Sequence, residues 1–159
     1  MDSLKTVVHT INRICAFLGG IFIIILTTIA AGNMLLRIIY RPIHGSYELI
    51  GFFGAASIGL ALGYTQLRKD HIIVTIVSDR FGKKTKKIID LFSNMVSSLF
   101  FIVCGTETLK WGSRLAKSGE LSETLKIPYY PFVYLLGTGF LIIAITLILD
   151  FIIAFERKK

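Results

Sequence analysis

The sequence predicts an all-α integral membrane protein: four transmembrane helices with both termini cytoplasmic, plus an amphipathic interfacial helix in the cytoplasmic loop between the second and third helices. Three observations predict it. The 159 residues have a mean hydropathy of +0.69, with 53% hydrophobic and only 18% charged residues, a composition that does not fit a water-soluble globule. Four long stretches are nearly free of charge, and the basic residues between them are unevenly shared.

The first span covers residues 14–36: between Arg13 and Arg37 there are 23 residues without a charge, and at about 1.5 Å per residue they cross a hydrocarbon layer of about 30 Å. This run is longer than the apolar core of a secretory signal, so it reads as a retained anchor. The second span covers 47–67, the third 88–109 and the fourth 128–155. Their acids, Glu48, Asp90, Glu107 and Asp150, stand within a few residues of a boundary, where water and headgroups solvate them. The fourth opens with Pro128-Tyr-Tyr-Pro131, prolines suited to a first helical turn and tyrosines suited to the headgroup belt. The whole chain forms one four-helix membrane domain.

Orientation follows from charge. With four crossings, the two terminal segments and the middle loop share a side and hold 12 Lys and Arg, against 6 on the other side. The positive-inside rule places the richer side in the cytoplasm. In the middle loop, His71, Thr75, Ser78 and Asp79 fall on one helical stripe and leave Ile72, Ile73, Ile76, Val77 and Phe81 on the rest of the surface. That pattern predicts a helix lying in the interface plane over about 71–81. Lys83, Lys84, Lys86 and Lys87 follow as a basic cluster facing lipid headgroups. The net charge of +8 on so oily a chain points to membrane phospholipids and not to nucleic acid.

A coupled carrier or a membrane enzyme needs titratable or ligating groups held at membrane depth. His9, His44 and His71 all lie outside the spans, Cys15 and Cys104 stand far apart inside apolar runs, and no phosphate loop or metal-ligand spacing occurs. No catalytic residue, cofactor or metal site is therefore expected. The second span instead carries a ladder of small residues at every fourth position, Gly51, Ala55, Gly59 and Gly63, which lets another helix approach closely. Packing within this chain and packing against another subunit both satisfy it. The third span carries a polar stripe, Asp90, Ser93, Asn94, Ser97 and Ser98, read as structural hydrogen bonding in preference to a pore lining. Arg37, one turn after Asn33, and Glu48, across a ten-residue link, are expected to form an ion pair closing the first hairpin.

The ordered set Asn33-x-x-x-Arg37, Glu48, Gly63, His71-Ile-Ile-Val, Asp79-Arg80 and Ser122-x-x-Leu125-x-Ile127-Pro128 resembles the small (Q-type) transmembrane subunit of tripartite ATP-independent periplasmic (TRAP) transporters, over about residues 13–150. The resemblance implies a non-catalytic subunit in the bacterial cytoplasmic (inner) membrane. Its expected partners are a large multi-span transport subunit and a periplasmic substrate-binding protein, in a sodium-driven uptake system for organic acids. In that picture this chain is a static scaffold and part of the docking surface. Two readings compete with it: a self-sufficient homo-oligomeric four-helix exporter or channel, which needs an ion-sensing acid in mid-span, and a small enzyme acting on lipid-soluble substrates.

Overall fold

The computed structural model describes residues 2–68 and 83–156. They form four helices, α1 (Asp2–Ile39), α2 (Ser46–Arg68), α3 (Lys83–Ser118) and α4 (Tyr130–Glu156). Each is long and apolar enough to cross a membrane. Among the described residues there is no strand beyond an isolated bridge between Leu121 and Pro128. The interfacial helix expected over 71–81 lies outside the described residues. Lys83, Lys84, Lys86 and Lys87 fall in the opening turns of α3.

The helices overrun the predicted spans. At about 1.5 Å per residue, the 38 residues of α1 measure about 57 Å and the 36 of α3 about 54 Å. Both extend well past a hydrocarbon layer of about 30 Å. The third helix was expected to end near Leu109. It runs on to Ser118 because Lys110 and Arg114 continue it with good helix formers, and Glu107 is balanced by Lys110 one turn later at 2.7 Å. Gly119 then stops it, at φ 67° with its N–H on the Leu115 carbonyl, 3.1 Å away. At the fourth helix only Pro131 lies inside the first turn. Pro128 precedes the helix and pairs with Leu121, so it belongs to the connecting loop.

Packing follows a row. α1 packs on α2, α2 on α4 and α4 on α3, while α1 touches α4 only marginally. The inner pair are the buried ones: 33% and 39% of the apolar windows of α2 and α4 are covered, against 6% and 11% in α1 and α3. Two close approaches place α4 between α2 and α3. On one face, Gly139 meets the backbone of Gly59; a Cβ at Gly59 would lie 2.8 Å from Leu136 Cα. On the other, Gly137 takes the side chain of Leu109, which a Cβ there would meet at 2.9 Å. Residues two apart stand about 200° apart around a helix, so Gly137 and Gly139 serve opposite neighbours. The buried apolar residues of α2 and α4 include Ala56, Leu60, Ile143, Ala144 and Leu147. An aromatic stack sits above it, Phe52 on Phe132 at 4.5 Å and 9°.

Two polar contacts show that the chain ends share a side. Asn12 near the start of α1 donates to Thr146 near the end of α4, and Gln66 near the end of α2 donates to Asp150. The 40–45 link and the 119–129 loop lie at the other end.

Candidate functional site

At that second end the two connections lock together. After α1, the Ile43 N–H donates to Asn33 Oδ1 at 2.8 Å, folding the link back over the last turns of the helix. Gly45 then takes φ 71°, a left-handed turn that residues with a Cβ adopt only at a cost, and its carbonyl accepts the first helical bonds from Glu48 and Leu49. A Cβ on Gly45 would run into the side chain of Leu125 from the opposite loop, which lies over it. Ser46 is 1% exposed beneath this contact.

The opposite loop is closed by its own pair: the Ser122 N–H donates to the Ile127 carbonyl at 2.9 Å, and the Ile127 N–H returns to Ser122 Oγ at 3.1 Å. Ser122 is fully buried. The turn within this pair points two successive N–H groups at a single carboxylate. Thr124 N–H reaches Glu48 Oε1 at 2.7 Å and Leu125 N–H reaches Oε2 at 3.0 Å. Successive amides of this kind make an anion-binding concavity, and here the anion is built in. Its position in the first turn of α2 also suits a negative charge, because the helix N-terminus carries positive partial charge.

This overturns the expected hairpin pair. Arg37 is exposed and forms no ion pair with Glu48 among the described residues. Both Glu48 oxygens are occupied by backbone donors from a segment 76 and 77 residues away. The hairpin needs no guanidinium to neutralise that carboxylate.

The small-residue ladder divides. Gly59 and Gly63 are buried, Gly59 against α4 and Gly63 against Asn12 of α1, where a Cβ would meet Asn12 Cγ at 3.0 Å. Ala55 is half-buried, and Gly51 is exposed with nothing within 4 Å of a Cβ. Steps of four advance about 40° around a helix, so three steps turn the ladder about 120° out of the core. The polar stripe of α3 divides as well: Ser98 is buried, Asn94 and Ser97 are half-buried, and Ser93 is exposed. Ser93, Asn94 and Ser97 make no hydrogen bond among the described residues, so the expected bonding within the chain is not found there. Cys15 and Cys104 are free and half-buried.

Sequence reading missed the polar stitch at the terminal end. Asn12 is completely buried; its Nδ2 donates to the Val8 carbonyl at 2.9 Å and to Thr146 Oγ1 at 3.0 Å, tying α1 to α4 beside Gly63 of α2. Its Oδ1 faces Gly63 with no hydrogen-bond donor. The available signal was the seven-residue spacing from Asn12 to Gly19, two turns along one face, with Gly19 also pressed against α2. Gln66 Nε2 donates to Asp150 Oδ2 at 3.0 Å, which adds a polar contact between α2 and α4 and gives Asp150 a partner within the protein.

Of the residues in which the chain resembles transporter small subunits, Asn33, Glu48, Ser122, Leu125, Ile127 and Pro128 therefore meet at one end, whereas Gly63 packs on Asn12 toward the other and His71 to Arg80 lie outside the described residues. Residues 24–157 match the model of one protein family, described as tripartite ATP-independent periplasmic transporters, DctQ component. The chain belongs to this DctQ family. It is accordingly a small membrane component of a TRAP transporter, in the inner membrane and multi-pass, and its family is a transporter component and not an enzyme family. Tripartite transporters of this kind imply a large membrane subunit and a periplasmic binding protein as partners. No curated protein matches the chain.

Proposed function

We propose that this DctQ chain is a rigid, non-catalytic wall that scaffolds the large transport subunit of a sodium-driven, organic-acid uptake system. The carrying observation is the Glu48 lock. A carboxylate from α2 holds two amides of the α3–α4 loop, so both connections at that end move as one body. With both termini cytoplasmic, this locked end faces the periplasm and forms part of the surface on which the binding protein docks. The row of helices supports the scaffold reading, because it leaves the outer faces of α1 and α3 broad and uncovered. The half-buried or exposed Ser93, Asn94 and Ser97 of α3 are costly against lipid tails and gain from a polar partner on another subunit. The Gly51 and Ala55 end of the ladder is likewise open to such a neighbour. The basic cluster from Lys83 to Lys87 and the interfacial segment from Ile72 to Phe81 would anchor the wall against the cytoplasmic leaflet.

The test is reconstitution. Vesicles holding this chain with its large partner, plus binding protein and a sodium gradient, should accumulate substrate, and vesicles holding either membrane component alone should not. Uptake by this chain alone would overturn the proposal.

A further inference from the structure

At the end carrying both termini, α1 and α2 part to leave an open cleft of about 730 Å³, lined by His9, Thr10, Arg13, Tyr64, Leu67 and Arg68 among others. We infer that this cleft binds the phosphate of an anionic phospholipid. Its two arginines stand at matching depth: Arg13 immediately precedes the uncharged run of α1, and Arg68 immediately follows that of α2. They therefore mark the boundary of the hydrocarbon layer from two different helices, the level at which lipid phosphates lie.

The guanidinium of Arg68 is already oriented. Its Nε donates to Tyr64 Oη at 2.9 Å and its carbon sits 5.2 Å from the centre of the Tyr64 ring, which leaves the Nη edge of the fork for a ligand. Arg13 is exposed and has no acidic partner among the described residues. Among the described residues no carboxylate lines the cleft, so an anion entering it meets the positive charges of both arginines. The occupant is a lipid and not a soluble phosphate because one helical turn deeper than Arg13, on the same face, stands Phe17, 71% exposed, against which an acyl chain can lie. This site needs no companion subunit and does not rest on the scaffold reading.

The experiment is native mass spectrometry of the full chain in detergent, titrated with phosphatidylglycerol or phosphatidylcholine. The wild type should retain one phosphatidylglycerol on the order of ten- to thirtyfold more tightly than Arg13→Gln/Arg68→Gln. Arg114→Gln/Lys117→Gln, which removes the same charge at the opposite end, should bind like wild type. The single Arg13→Gln, which keeps the Arg68–Tyr64 contact, should fall between, guarding against loss by misfolding. Equal retention by the double variant, equal loss in the Arg114/Lys117 control, equal retention of phosphatidylcholine, or complete displacement of the lipid by excess inorganic phosphate would each overturn the assignment.

Discussion

Replacing Gly139 by Ala tests the contact that joins α4 to α2, the two inner helices of the row. A Cβ at that position would lie 2.7 Å from Gly59 Cα and nearer still to the Gly59 carbonyl. All of these are backbone atoms, so no side chain can rotate away. Ordinary contact begins near 3.4 Å, so the Gly59 Cα alone requires the helices to part by about 0.7 Å, and the nearer carbonyl requires more. Overpacking of this kind costs about 1–3 kcal/mol. For a chain of this size that corresponds to roughly 2–10 °C in melting temperature. Gly51→Ala makes the same chemical change on α2 where nothing lies within 4 Å, and it should be neutral or stabilising by up to about 1 kcal/mol through helix propensity. Thermal unfolding of the two variants in one detergent, followed by intrinsic fluorescence, compares them directly. The reasoning fails if Gly139→Ala melts with the wild type, or if Gly51→Ala falls as far.

Glu48→Ala should free the Thr124 and Leu125 amides and speed limited proteolysis between residues 120 and 127, while Arg37→Gln leaves the cleavage rate unchanged; the reversed charge pair Arg37→Glu/Glu48→Arg should cleave as fast as Glu48→Ala, and protection restored by that swap would reinstate the ion pair. Asn12→Ala and Thr146→Val should show a coupling of about 0.6 kcal/mol, and at most about 1.7, in a double-mutant cycle of unfolding, whereas strict additivity would deny the stitch between α1 and α4. Gly45→Ala should cost about 1–2 kcal/mol for its left-handed backbone and more for displacing Leu125, visible as a lowered melting temperature that Gly45→Asn partly restores.

The sequence by itself determined the membrane class, the four spans, the shared side of the termini and, through the residues from Asn33 to Pro128, the family. These are local properties: an uncharged run reports its own burial in lipid whatever it packs against, and each loop is counted on its own. Even there, the extension of α3 to Ser118 depended on ordinary helix formers that hydropathy overlooks. The tertiary structure decided the order of the row, the partner of Glu48 and the role of Asn12. Glu48 had two suitors, a nearby guanidinium and a pair of amides 76 and 77 residues away, and charge matching in sequence favours the wrong one. Which small residues touch a helix and which touch lipid is likewise invisible along the chain. Gly51 and Gly59 are the same residue on the same stripe, and only the backbone of α4 arriving beside one of them distinguishes a close approach from open space.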